Sequence, residues 1–295
     1  MAKIAVNLKR QQARPVDEPG DLDINVVAEG DGWTVEDVVC SRGPRDRRFE
    51  EQHDTFVIAI VTSGTFQYRS SGANSEVMMT PGSVLLGNPG QCFECGHEHG
   101  AGDRCLAFHF AADYFHTIAE GSDPGRVLRS FRAPKLSAVQ TLSPIVTDAC
   151  AALAGSRQVA WEELGVRLAA RAFQMDGESK GARSATSPAA IARITESVRL
   201  IEAHQGSELT LVRLAKEAHL SPFHFLRTFE AVTGTTPHRY MRRMRLRAAA
   251  VRLSSSETKI VDVAFESGFG DVSNFNRAFR AEFGVTPTTY RLRHR

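Results

Sequence analysis

One stretch of this chain is written twice. Leu214 to Tyr240 (LAKEAHLSPFHFLRTFEAVTGTTPHRY) matches Val263 to Tyr290 (VAFESGFGDVSNFNRAFRAEFGVTPTTY) at an offset of 49 residues, which becomes 50 after the turn. Phe225, Arg227, Phe229, Gly234, Thr236, Pro237 and Tyr240 align with Phe275, Arg277, Phe279, Gly284, Thr286, Pro287 and Tyr290. A repeat restricts the fold strongly, because each copy must be the same small unit. Each reads as helix, tight turn, helix. In the first copy, Thr210 caps a helix whose Leu211, Leu214, Ala215 and Ala218 keep the i, i+3, i+4, i+7 stripe. His219 and Leu220 make the turn. Ser221 and Pro222 open a second helix that buries Phe225, Phe229 and Val232 and stops at Gly234. In the second copy Gly268 stands at the turn, where a left-handed backbone is easiest.

Two short amphipathic helices around a three- or four-residue turn fit a helix-turn-helix, whose second helix enters the DNA major groove. The exposed face of that helix offers Phe223, His224, Arg227 and Thr228 in the first copy, and Val272, Ser273, Asn274, Asn276 and Arg277 in the second. Arginine bonds guanine in bidentate fashion, asparagine does the same for adenine, and Val or Phe touches a thymine methyl. Between the copies, Pro237 to Leu253 keeps helical spacing and would span roughly 25 Å, enough to hold two recognition helices about one DNA turn apart.

Charge agrees with this division. The 36 Lys plus Arg and 34 Asp plus Glu give a net charge of only +2, but residues 188–295 hold 17 basic and 10 acidic side chains, or +7, which leaves −5 for residues 1–187. Such a sign difference suits one segment that meets a polyanion and another that does different work. Arg239, Arg242, Arg243, Arg245 and Arg247 fall within nine residues, so a helix there is expected to present cations around much of its circumference, with Arg243 on a DNA phosphate.

Residues 188–295 resemble the AraC/XylS-type DNA-binding domain. The likeness rests on Gly268 and Phe269, on NFNRAFRAEFG (Asn274 to Gly284) and on TPTTYR (Thr286 to Arg291). It implies two helix-turn-helix units joined by a long helix in a promoter-binding regulator, commonly an activator that contacts RNA polymerase. It also implies that Phe223, Leu226 and Arg227, and Val272, Ser273, Asn276 and Arg277, face bases. Leu226 departs from the polar residue often found there.

The acidic part reads differently. Short apolar runs separated by turn signals recur over residues 25–110: Thr55 to Val61, Ser63 to Tyr68, Ser75 to Met79, Pro81 to Gly87 and Leu106 to Phe110. Their spacing resembles a cupin barrel, the usual sensor domain of this family. The His-rich metal motif of cupin enzymes is incomplete, with His53 alone for the first motif and Phe93 where a second-motif His is expected. In its place stand Cys92, Cys95, His97 and His99, followed by Cys105 and His109. On a strand, Cys95, His97 and His99 share a face, and Cys105 and His109 can approach from the next strand. Zn²⁺ or another thiophilic ion, a redox-sensing cysteine pair, and ordinary core cysteines beside solvated histidines all fit that pattern. Residues 137–175 return to helical spacing and either pack a homodimer or cover the barrel.

The expected architecture is therefore α+β and multidomain. A cupin-like β-barrel over residues 1–135 is followed by a helical dimerisation or packing segment over 136–176. A linker at 177–187, part of the Gly/Ser-rich run from Asp176 to Ser187, precedes an all-α domain with two helix-turn-helix units over 188–295. The expected partners are double-stranded promoter DNA and a small-molecule or metal effector. The absence of an apolar core in MAKIAVNLKR and of any membrane-length apolar run, with an odd count of five Cys, points to a cytoplasmic chain without a disulfide framework. A metal- or redox-responsive regulator is the nearest alternative, and a cupin-type metalloenzyme tethered to DNA the more distant one.

Overall fold

The computed structural model describes residues 22–71, 76–122, 130–155, 159–178, 187–204 and 209–294. The N-terminal part is built from β1 (Leu22–Gly30), β2 (Trp33–Cys40), β3 (Phe49–Gln52), β4 (Phe56–Gly64), β5 (Phe66–Ser70), β6 (Val77–Met79), β7 (Val84–Gly87), β8 (Cys92–Gly96), β9 (Asp103–Phe110), α1 (Ala112–Ser122), β10 (Lys135–Leu136), α2 (Ser143–Leu153) and α3 (Trp161–Glu178). The strands form two antiparallel sheets, ordered β1-β2-β9-β4-β7-β10 and β3-β8-β5-β6. The expected barrel is thus a pair of facing sheets, with no ladder joining one to the other among the described residues.

Strand β4 explains the layering. Its sequence FVIAIV is apolar at every position because both of its faces are covered. Phe56, Ile58 and Ile60 point outward into a core shared with Phe115, Leu142, Ile145, Val146, Leu164, Leu168 and Phe173 of the helical segments. Val57, Ala59 and Val61 point inward toward Phe66, Tyr68, Cys95 and Cys105. The two stripes predicted over residues 137–175 therefore cover the sheet. The other side of α2 is also used, against the long helix and the second recognition helix described next.

The C-terminal part comprises α4 (Pro188–Ala203), α5 (Leu211–Glu217), α6 (Pro222–Thr233), α7 (Pro237–Ser255), α8 (Ile260–Glu266), α9 (Val272–Phe283) and α10 (Pro287–Arg293). Its helix ends follow local chemistry. Ser187, Thr210, Ser221, Asp271 and Thr286 each accept a hydrogen bond from a backbone N–H of the first turn, and Gly234 and Gly284 close α6 and α9 at positive φ. The repeat is reproduced in its packing. Phe225 and Phe229 have ring centroids 5.6 Å apart, as do Phe275 and Phe279, and Tyr240 and Tyr290 meet Phe229 and Phe279 edge-on at 5.6 and 5.3 Å. Each of these buried rings stabilises its unit by about 1.5–3 kcal/mol. Helix α7, expected over Pro237 to Leu253, runs two residues further.

The linker predicted at 177–187 begins two residues too early, because α3 runs through Gly177 and Glu178. Asp176 is a buried residue of α3 whose carboxylate accepts the backbone N–H groups of Arg132 and Ala133, so it is fixed by the fold. Helix α3 continues to Glu178, Ser187 caps α4, and the rest of the linker lies outside the described residues.

The two parts are in contact. From Lys135 to Ser143 the chain runs along the C-terminal ends of both recognition helices. Lys135 Nζ donates to Met78 O at 2.6 Å and to Val232 O of α6 at 3.2 Å. Gln140 donates to Ala281 O of α9, and Ser143 Oγ to the Glu282 carboxylate. Ser137 lies so close to Gly234 that a side chain at that glycine would collide with it. Met78 and Ala138 enter the apolar core of the first helix-turn-helix. Elsewhere, Gly64 N–H donates to Glu202 of α4 at 3.1 Å, and Arg247 of α7 is buried beside Gly82 with Nη1 3.4 Å from Pro81 O.

Candidate nucleic-acid interface and effector cavity

Helices α6 and α9 keep their phenylalanine faces inside, which leaves the opposite faces to solvent. Phe223, His224 and Arg227 are exposed on the N-terminal half of α6, with Leu226 half-buried beside them. On α9, Ser273, Asn274, Asn276 and Arg277 are exposed and Val272 is half-buried. With Thr228, which is half-buried on α6, all ten residues expected on the reading faces lie on these two helices. Phe223 is 64% exposed, an unusual position for an aromatic ring unless a partner covers it, and Arg227 lies 5.9 Å from its centroid. The turns before the two helices match as well: His219 has φ 53° where the second unit has Gly268 at 77°.

The arginines of α7 overturn one expectation. Arg239 and Arg242 are exposed, whereas Arg243, Arg245 and Arg247 turn inward. Arg243 Nη1 donates to Ala138 O at 2.8 Å and lies 3.4 Å from Thr235 Oγ1, and its Nε is 3.3 Å from the Glu282 carboxylate. Arg245 donates to Gly268 O at 3.1 Å. Arg243 is thus not a free cation for a phosphate. The i, i+4 spacing of Arg243 and Arg247 places both on the face of α7 that meets the N-terminal part, and spacing alone did not reveal which face that is.

Between the sheets lies a cavity of about 430 Å³, within the range of small-molecule sites. Alternation along the strands supplies its lining: Thr34, Glu36, Val38 and Cys40 from β2, Cys95 from β8, and Asp103, Cys105, Ala107 and His109 from β9. Its polar groups gather in two places. At one, His109 Nε2 lies 3.1 Å from Glu36 Oε2 and Nδ1 lies 3.4 Å from Thr55 Oγ1. Close by, His53 stacks on Phe93 at 4.2 Å and shares a 3.0 Å hydrogen bond with Tyr68. Burial, with the His109 charge a lesser cause, holds His53 down at about 4, so its ring is neutral at neutral pH. Phe93, at the expected second-motif position, is thus a stacking surface.

At the other place, Cys40, His97 and Asp103 each bring one potential ligand atom to within 4.8 Å of the others. Cys95 and Cys105 line the same end. The predicted cluster is accordingly redrawn. Cys95, His97 and Cys105 face inward; Cys92 is exposed on the outer side, three residues from Cys95 on a strand that alternates every two. His99 has left the strand, which ends at Gly96, and lies 4.0 Å from Glu98. Cys40 and Asp103 were not anticipated.

Residues 214–293 match the helix-turn-helix domain model and residues 36–171 the AraC-like ligand binding domain model. The regulatory protein SoxS of Salmonella typhimurium is 36% identical over 96 residues, which are 32% of this chain and 90% of that protein. The chain belongs to the AraC/XylS family. Within it, the transcriptional activator RhaS of Klebsiella pneumoniae is 35% identical over 100 residues, 34% of this chain and 36% of RhaS, so only about a third of RhaS is matched. The fatty-acid-bound ToxT structure from Vibrio cholerae aligns over 90% of this chain and 96% of its own at 14% identity, with a TM-score of 0.39. In AraC-family terms the chain is a transcriptional regulator with a β-rich ligand-binding domain ahead of a helical DNA-binding domain. Its family is one of regulators rather than of enzymes. Among the described residues no helix is long and apolar enough to cross a membrane.

Proposed function

We propose that this AraC-type regulator reads promoter DNA with α6 and α9 in successive major grooves, and that a ligand in the cavity between its sheets controls that reading. The observation that carries the proposal is the pair of matched helices with different exposed residues, Phe223, His224 and Arg227 on one and Ser273, Asn274, Asn276 and Arg277 on the other, flanked by half-buried Leu226 and Val272. An architectural binder would not need two diversified readers. The 19 residues of α7 give about 28 Å between the units, close to the roughly 34 Å of one DNA turn. The segment 135–143 supplies the route for control, since it is continuous with the helices that cover the sheet and holds both recognition helices.

By their likeness to named activators, RhaS among them, the proposed output is activation, with RNA polymerase as a partner and a homodimer as the working form. The test is selection of binding sites from a random duplex library, followed by titration of the selected site against a scrambled one over a salt series. The proposal expects preference for two half-sites about one turn apart. Equal affinity for both duplexes with the same salt slope would reduce the protein to a nonspecific binder.

A further inference from the structure

Cys40, His97 and Asp103 are far apart in sequence and meet only through the sheets. Cys40 ends β2 and is the register partner of Asp103 at the start of β9, while His97 follows β8 on the opposite sheet. The three side chains close one end of the cavity and are buried, with His97 at 2% and Asp103 at 7% exposure. His97 Nε2 is 2.6 Å from Asp103 Oδ1, and Cys105 donates its thiol proton to Asp103 Oδ2 at 3.3 Å. The other imidazole nitrogen, Nδ1, is buried with no well-formed hydrogen bond, and the Cys40 thiol lies beside the ring. A buried ring nitrogen is normally satisfied, because one left without a partner loses its hydration for nothing in return. The ring lies beside the Cys40 thiol and the Asp103 carboxylate, and that carboxylate holds the Cys105 thiol, all at one end of the cavity. This is the sulfur, nitrogen and oxygen donor set of a thiophilic divalent cation.

We propose that Cys40, His97, Asp103 and Cys105 bind one divalent cation of the Zn²⁺ type, and that this cation is a signal to which the regulator responds. Metal bonds of about 2.0–2.3 Å place tetrahedral ligand atoms closer together than the 4.8 Å within which the Cys40, His97 and Asp103 donors now lie, so binding draws these three together and brings in Cys105 through its contact with Asp103. The two thiols lose their protons to solvent as they become ligands. That contraction reaches the DNA-binding domain by a short path. Asp103 is the register partner of Gly64, whose N–H donates to Glu202 of α4. In the turn before Asp103, Gly100 lies against Thr65 and next to Thr195 of the same helix, at a spacing where a Cβ would make ordinary contact, 3.6 Å, with the Thr195 methyl group. The signalling half of the proposal rests on the cavity acting as the sensor. The cation site itself does not, and its test needs no DNA.

The full chain, reduced and freed of metal by a chelator, is titrated with Zn²⁺ against a chromophoric competitor and separately with Co²⁺. The site predicts one equivalent of each, with thiolate-to-cobalt charge-transfer absorption and the intense visible bands of tetrahedral Co²⁺. Cys40→Ser and Asp103→Asn are each expected to weaken Zn²⁺ binding by at least about tenfold. Cys92→Ser, on the outer surface, is expected to leave it unchanged. Metal-free melting curves establish that each variant folds, and the near-isosteric Asp103→Asn decides if Cys40→Ser does not. Failure of the wild-type chain to bind one equivalent, or equal binding by Asp103→Asn, overturns the site. Stoichiometric binding that leaves affinity for the selected DNA site unchanged overturns the signalling role and keeps the site.

Discussion

Arg277 and Arg243 are both arginines of the basic domain, yet the structure predicts opposite consequences for removing them. Arg277 is exposed on the reading face of α9, so Arg277→Ala disturbs no core. If it bonds a guanine, the loss is about 1–3 kcal/mol of affinity, roughly 5–150-fold, with relaxed base choice at one position. The Arg243 side chain is 13% exposed and pairs with Glu282, which is 3% exposed, while also donating to Ala138 O. Arg243→Ala leaves the Glu282 carboxylate buried with Ser143 as its remaining partner, a change that typically costs about 3–5 kcal/mol of stability. The two variants are compared by thermal unfolding and by DNA titration between low and moderate salt. Arg277→Ala should melt like the wild type and bind its site weakly. Arg243→Ala should melt markedly earlier while its salt slope stays that of the wild type, because no phosphate contact has gone. A slope lowered by about one unit with unchanged melting would place Arg243 on a phosphate after all and refute the reasoning from its buried partners.

Three further outcomes are expected. Gly82 has φ 83° and its missing side chain would overlap the Arg247 guanidinium, so Gly82→Ala should lower stability by more than the ~1–2 kcal/mol of the left-handed backbone alone, as read from chemical denaturation. His219→Gly should raise stability by up to about 1 kcal/mol by relieving φ 53° at the turn, and a melting temperature below that of the wild type would show that the imidazole makes a compensating contact. Burial pushes the Glu202 carboxyl up, with the Gly64 N–H pulling the other way. A raised carboxyl contributes stability that is complete below its ordinary value of 4.5 and is lost as pH rises through its folded value. Glu202→Gln should therefore flatten the melting-versus-pH curve in that acid-to-neutral window, and parallel curves for the two proteins would count against it.

The recognition helices were legible because a local repeat carries its own evidence: Phe225 and Phe229 recur as Phe275 and Phe279, and the caps and Gly234 and Gly284 mark the ends. The strands were legible in outline, since β4 is apolar throughout and turn residues bound it. Two things escaped. The inward turn of Arg243 and Arg247 depends on where the other part of the chain docks, which helical spacing does not encode. The cavity cluster depends on sheet register: Cys40 and Asp103 are adjacent only because β2 and β9 pair antiparallel from one end to the other. One signal for the cysteines was available in the sequence. An odd spacing on a strand sends Cys92 and Cys95 to opposite faces, so the Cys-x-x-Cys pattern could not serve there as a pair of ligands.

The grip of residues 135–143 on α6 and α9 has a genetic consequence. In the proposed reading each recognition helix meets DNA at its N-terminal half, and residues 135–143 hold it at its C-terminal end, through Val232 on one and Ala281 and Glu282 on the other. Operator choice and responsiveness are thus written at opposite ends of the same two helices. Alleles that alter which promoter is bound should collect at 223–228 and 272–277, and alleles that free the protein from its signal at 231–234, 281–284 and 135–143. A lineage could then acquire a new target gene while keeping its inducer, or a new inducer while keeping its target, by substitutions that never share a codon.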